Sequence, residues 1–218
     1  METILDILKN TYLTLYVGVF LISLIKFPLY KHTTLRLLPI ILFLTMVTEY
    51  LGYFLKDIIY DIPLNKFIYN LYYLIHFSFF FYIFMRMIEN DRFKKNIKIG
   101  LVVFWLFFLS DVVFTGIFEN SFARTYIAGA AILIFCITLY YINILQSSLV
   151  LVVKNDLLFW VSVGLFLFYI GYIPIKIIRT WFYKPDSFFE ILLLIQSSLI
   201  IIMYLFFLTG FLWMKKRS

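Results

Sequence analysis

Seven runs of mostly apolar residues, each near the ~20 that a helix needs to cross a bilayer, leave this chain almost no choice of architecture. They cover roughly residues 4–27, 37–55, 67–88, 97–118, 123–145, 157–178 and 188–213. The breaks between them are short and hold the charges and the helix breakers: Lys26-Phe27-Pro28, Asp61-Ile62-Pro63, Glu89-Asn90-Asp91-Arg92, Glu119-Asn120 and Lys184-Pro185-Asp186. With 64% hydrophobic and 14% charged residues and a mean hydropathy of +0.98, the chain lacks the surface charge of a soluble domain, which is about a quarter charged. The expectation is an all-α, polytopic membrane protein of seven helices, a single transmembrane domain over residues 1–218. The weakest stretch is 144–155, where Gln146, Ser147 and Ser148 precede another apolar run; it extends the fifth helix or lies along the interface. Six helices is the fallback count.

Lys and Arg are retained on the cytoplasmic side of a membrane, and their distribution sets the expected orientation. One side collects Lys26, Lys31, Arg36, Arg86, Arg92, Lys94, Lys95, Lys98, Lys154, Lys215, Lys216 and Arg217. The other holds Lys9, Lys56, Lys66, Arg124, Lys176, Arg179 and Lys184, diluted by most of the acids. This asymmetry predicts the N-terminus outside and the C-terminus inside. It also accounts for the net charge of +7 without nucleic-acid binding. Glu2 and Asp6 against Lys9 give the wrong charge for a cleavable signal peptide, so the start is read as mature protein. Cys136 is the single cysteine, which excludes an internal disulfide and Cys-rich metal clusters.

Against this apolar background, ionisable groups inside spans stand out, because each costs several kcal/mol unless paired, hydrated or used. Glu49, His76 and Asp111 are the strongest cases. Helical spacing puts Thr45, Thr48, Glu49, Gly52, Tyr53 and Lys56 on one face of span two. It does the same for Tyr69, Tyr72, Tyr73 and His76 in span three, with Asn70 beside them. Span four aligns Asp111 with Thr115; span six aligns Ser162, Tyr169, Tyr172, Lys176 and Arg179; span seven carries Glu190, Gln196 and Ser197. Polar faces in lipid turn toward one another. In the expected orientation His76 lies near the midplane, and Glu49, Asp111, Asn70, Tyr172, Lys176, Gln196 and Glu190 lie in the outer half. The inner half offers chiefly Asn143, Ser110 and Ser162. The expected site is thus an outward-facing polar cluster of Glu49, His76, Asp111, Asn70, Tyr172, Lys176 and Gln196. Trp181 and Trp213 fit an interfacial belt, whereas Trp105 and Trp160 are deep enough to pack between helices.

Three uses compete for that cluster: polar glue between helices, worth only about 0.6 kcal/mol per contact; a ligand pocket; or a proton or ion path. Enzyme chemistry fits less well. His32 sits in a loop away from His76, so a zinc site would have to use His76 with both carboxylates, and nothing in the spacing demands that. Ser78 or Ser110 with His76 and Asp111 lacks the sharp turn that presents a nucleophile. No phosphate-cradling loop exists, and span seven has no lysine for a retinal-type Schiff base. No cofactor or metal is expected.

Gly52-Tyr53-Phe54-Leu55-Lys56-Asp57-Ile58-Ile59 and Gly171-Tyr172-Ile173-Pro174-Ile175-Lys176-Ile177-Ile178 share Gly, Tyr and the closing Ile-Ile. Leu74-Ile75-His76-Phe77-Ser78 meets Leu194-Ile195-Gln196-Ser197-Ser198 with a one-residue shift. A parallel repeat of spans one to three and five to seven, joined by span four, would match His76 with Gln196. That plan is similar to the three-plus-one-plus-three sugar and PQ-loop transporters, which place a site at the repeat interface. Those transporters carry a proline inside the first helix of each half, and here Pro28 lies beyond span one and span five has none. Thr48-Glu49-Tyr50-Leu51-Gly52-Tyr53 followed by Tyr69-Asn70-Leu71-Tyr72-Tyr73 resembles a group of small uncharacterised seven-helix bacterial membrane proteins. The resemblance implies a bacterial inner-membrane location and no known activity.

The functional expectation is a non-enzymatic small-ligand receptor or sensory membrane subunit. Its loops are too short for an output domain, so signalling needs a membrane or cytoplasmic protein partner besides the lipid bilayer. The basic patch Arg92, Lys94, Lys95 and Lys98 suits anionic headgroups or such a partner. The alternative is a small-solute or proton-coupled transporter.

Overall fold

The computed structural model describes residues 2–147, 153–182 and 187–214. Seven long helices account for nearly all of them: α1 Glu2–Ile25, α2 Leu38–Phe54, α3 Ile62–Met87, α4 Asp91–Thr115, α5 Ala123–Leu145, α6 Leu157–Trp181 and α7 Ser187–Trp213. There is no strand among the described residues. All seven helices are long and apolar enough to span a bilayer, and the chain is a multi-pass integral membrane protein. Ser148, residues 149–152, Lys184, Pro185, Asp186, Lys215, Lys216 and Arg217, named above for their charge, polarity or turn chemistry, lie outside the described residues.

Capping side chains mark the starts of α3, α4 and α6, and at α3 and α4 they extend the helix beyond the apolar run. α3 starts five residues earlier than its apolar run, because Asp61 accepts the Leu64 N–H at 3.0 Å and Pro63 occupies the first turn. A proline there wastes no intrahelical donor. α4 likewise starts at Asp91, with the Asn90 side chain accepting from Arg92 N and Phe93 N at 3.0 and 3.4 Å. Asp156 opens α6 through Leu158 N at 3.0 Å. α5 stops at Leu145, followed by a turn at Gln146 and Ser147, and a short 3-10 turn at Val153–Asn155 precedes α6. Residues 146–147 and 153–155 therefore do not continue α5.

The backbone falls into two compact units, Met1–Leu42 with Ile144–Ser218, and Phe43–Asn143. This division groups α1, α6 and α7 in one unit and most of α2 with α3, α4 and α5 in the other. It cuts the chain differently from the halves of the sequence repeat.

In the first unit α7 packs against both α1 and α6. Tyr16 meets Tyr204 edge-on at 4.5 Å on the α1 side. On the α6 side the backbones come close at glycines: a Cβ on Gly164 would lie 2.8 Å from the Met203 carbonyl, and one on Gly171 would lie 2.7 Å from Leu199. Small residues at membrane helix seams permit this approach. Trp160 stacks with Phe206, meets Trp213 edge-on and donates its indole N–H to the Lys154 carbonyl at 2.8 Å. Pro174 lies inside α6 and leaves the Ile170 carbonyl without its usual donor.

The second unit has an aromatic centre. Phe77, Phe81 and Phe104 are fully buried, with Phe104 5.5 Å from each of the other two rings. Tyr126 joins from α5 at 5.5 Å from Phe77. Such offset and edge-on pairs add about 0.5–1.5 kcal/mol each beyond area burial. Trp105, expected between helices, is instead exposed on α4, because the helical turn gives the inward face to Ile97, Phe104, Phe108 and Asp111 and leaves Trp105 about 100° away from Phe104.

Candidate functional site

Two polar assemblies occupy the second unit. The first runs along the seam of α2 and α3. Glu49 Oε2 accepts a hydrogen bond from the Tyr69 hydroxyl at 3.3 Å. One turn away, Tyr72 Oη lies 2.8 Å from Thr45 Oγ1 and 2.8 Å from His76 Nδ1. The spacing explains the order. Thr45 and Glu49 are four apart on α2, while Tyr69, Tyr72 and His76 are three and four apart on α3, so each set forms one ridge. Gly52 completes the seam, since a Cβ there would lie 2.4 Å from the Tyr69 hydroxyl oxygen and 2.6 Å from its ring. The glycine gives Tyr69 room to lie against α2 and reach Glu49. Immediately beyond, α2 widens into a π-helical turn at Leu55–Ile59, closed by Tyr60 in the left-handed region at φ 63°. π-turns of this kind are frequent near functional sites.

The second assembly surrounds the start of α5. The residue before that helix is Phe122, whose side chain has no acceptor, so the first N–H groups need partners from elsewhere. Asn70 of α3 accepts the Phe122 N–H at 2.9 Å and donates to the carbonyls of Ile117 and Asn120, both at 2.9 Å. Asp111 of α4 accepts the N–H of Thr125 at 3.1 Å and its hydroxyl at 2.8 Å. Lys66 adds a bond to the Glu119 carbonyl. Gly116, at φ 78°, turns the chain out of α4 into this connection; a side chain there would be strained.

The predicted residues thus divide three ways. Glu49, bonded to Tyr69, and His76, bonded to Tyr72 and through it to Thr45, share the α2–α3 seam. Asp111 and Asn70 belong to the α4–α5 connection, and the hydrogen bonds of Asp111 go to Thr125. Glu49, His76 and Asp111 therefore do not form one cluster. Among the described residues no group of three His, Cys, Asp or Glu side chains is placed to hold a metal. Ser78 is not hydrogen-bonded to His76; its hydroxyl is buried without a hydrogen-bond partner.

Tyr172, Lys176 and Gln196 lie in the first unit. Tyr172 is buried and stacks with Phe168 at 5.2 Å. Lys176 is half-buried on the same helix. Gln196 Oε1 accepts a hydrogen bond from the Arg179 guanidinium, which also lies 5.4 Å over the Phe189 ring. Both contacts join α6 to α7.

Thr45 (through Tyr72), Tyr69, Tyr72, Arg179 and Thr125 bond to the expected site residues but are not among them. Four of them already stood in the polar stripes, and a search for uncharged partners at three- and four-residue spacing would have found them. Thr125 carries no such signal; only the capless Phe122-Ala123 start hints that an acceptor must come from another helix.

No family model, curated protein or solved structure matches this chain. The fold defines a class, that of seven-helix integral membrane proteins.

Proposed function

We propose that this protein is a non-enzymatic small-ligand receptor or sensory membrane subunit of a bacterial inner membrane, N-terminus out and C-terminus in, with Glu49 as its recognition group. One observation carries this reading. Glu49 lies within a span, accepts a single 3.3 Å hydrogen bond from Tyr69, and forms no ion pair among the described residues. A carboxylate has about four acceptor positions, and an ionisable group at membrane depth is kept where it is paired or used. A small ligand bringing positive charge or several N–H donors would fill that capacity. The Tyr69 hydroxyl bonded to it brings an aromatic ring to the same place, and aromatic faces favour cations.

The test is a thermal-shift and titration series of small amines against the detergent-purified protein. Binding by the native chain, weakened at least tenfold by Glu49→Gln at unchanged melting temperature, supports the reading. Amines that bind the variant equally well, or none that bind at all, count against it. A sensory subunit also needs an output partner, which should co-purify from native membranes.

A second reading, proton-coupled transport of a small solute, draws on the Thr45–Tyr72–His76 chain. Hydroxyl, hydroxyl and imidazole in series at 2.8 Å can pass a proton along their hydrogen bonds. Liposomes loaded with a pH-sensitive dye separate the two: flux abolished by Tyr72→Phe establishes transport, and ligand binding without flux establishes the receptor.

A further inference from the structure

A groove of about 560 Å³ opens between α4 and α5, lined by Asn96, Ile99, Gly100, Ala131, Ile132 and Phe135. Gly100 carries no side chain and sits against Ile132, and Ala131 on α5 is small, which leaves the space open. The lining is apolar except at one end, where Asn96 lies five residues into α4. That is about 7–8 Å along the axis from Asp91, at 1.5 Å per residue. An apolar channel with a polar end at this depth has the layout of an acyl chain below its headgroup.

The charges beyond Asn96 continue the pattern. Arg92, Asn96 and Ile99 are spaced by four and three, and Lys95 and Ile99 by four, so Arg92 and Lys95 stand one turn past the groove on its own face. Both are exposed and form no ion pair among the described residues, since Asp91 is taken by Lys94 at 3.3 Å. Cations in the first turns of a helix also oppose its dipole, so α4 itself gives them no favourable partner. Lys98 points to a different side of the helix.

We propose that this groove is a binding site for one anionic phospholipid of the surrounding bilayer, with an acyl chain along Ile99, Gly100 and Ala131. Its phosphate lies at Asn96, Arg92 and Lys95. The site is distinct from the Glu49 seam, and neither depends on the other. Charge complementarity selects an anionic lipid over a zwitterionic one, and the open, lipid-facing groove gives it entry from the bilayer plane.

The experiment incorporates the full chain into bilayers of equal parts phosphatidylglycerol and phosphatidylcholine, then counts lipids retained on release by native mass spectrometry. The native protein should keep phosphatidylglycerol in preference. Arg92→Gln with Lys95→Gln should cut that preference at least tenfold, at roughly fivefold per cation near a membrane surface. Lys98→Gln should leave it unchanged. Ala131→Trp, at an exposed position, should displace the lipid by filling the groove. Retention unaffected by the double charge variant, or equally lowered by Lys98→Gln, overturns the proposal. So does a dimer that Ala131→Trp breaks without changing lipid retention, which would assign the groove to a second copy of the chain. The charge variants alter exposed side chains only, so the test stands even if the tryptophan variant folds poorly.

Discussion

One carboxylate oxygen of Asp111 accepts both the backbone N–H and the hydroxyl of Thr125, at 3.1 and 2.8 Å. A side chain of α4 thereby caps the first turn of α5, a task a helix normally gives to its own preceding residue. Phe122 holds that position and has nothing to offer. Asp111→Ala should destabilise the protein by about 1–3 kcal/mol, the cost of stranding buried donors. Asp111→Asn keeps one acceptor oxygen and should lose less. Thermal unfolding in a mild detergent measures both, and an alanine variant as stable as the native chain would remove the capping role.

Asn70 should be the more sensitive residue, because it uses both donors and an acceptor on the Ile117–Phe122 backbone. Asn70→Asp preserves the acceptor and removes the two donors, placing a carboxylate against the Ile117 and Asn120 carbonyls. It should therefore destabilise at least as much as Asn70→Ala, by about 2 kcal/mol or more. Amide hydrogen exchange across residues 116–122 should quicken in both variants while exchange in the middle of α4 stays slow. Protection that survives in Asn70→Asp would show that the donors are dispensable.

Gly52→Ala places a methyl group 2.4 Å from the Tyr69 hydroxyl oxygen, so the ring must swing away and release Glu49. Ligand binding or flux should fall with it. Pairing the change with Tyr69→Ala should be strongly non-additive, since the two residues share one contact. Simple additivity of the two losses would mean that Gly52 acts on something other than Tyr69.

Tyr30, in the short turn between α1 and α2, is buried and donates to the Ser23 carbonyl at 2.6 Å. Burial holds its phenol above the ordinary tyrosine range. The folded state therefore favours the protonated form, so this contribution is intact below the unfolded value of about 10 and is lost as pH rises above it. Tyr30→Phe should lower stability at neutral pH by about 1 kcal/mol and flatten the alkaline limb of the stability curve. An identical alkaline limb in the variant would assign that limb to other groups.

Span number, helical class and most boundaries were legible in the sequence, because lipid demands continuous apolar runs and satisfied backbone groups, and both are local properties. The caps at Asp61, Asn90 and Asp156 were also written locally, next to the turns they serve. The stripes of α2 and α3 foretold that Glu49 and His76 would face a polar neighbour, since three- and four-residue spacing fixes a helical face without reference to the rest of the fold. Which neighbour each residue would meet was not legible. Asp111, Asn70 and Glu49 look alike in sequence, as polar groups in apolar spans. Yet Asp111 and Asn70 complete the start of α5, and Glu49 keeps a nearly unused carboxylate. That difference depends on which helix end arrives opposite each side chain, on Gly52 and Gly116 letting the backbone come close or turn, and on Phe122 having no acceptor of its own. Tertiary structure decided it, because a hydrogen bond between helices is set by the relative placement of two segments, and periodicity within either one carries no record of that placement.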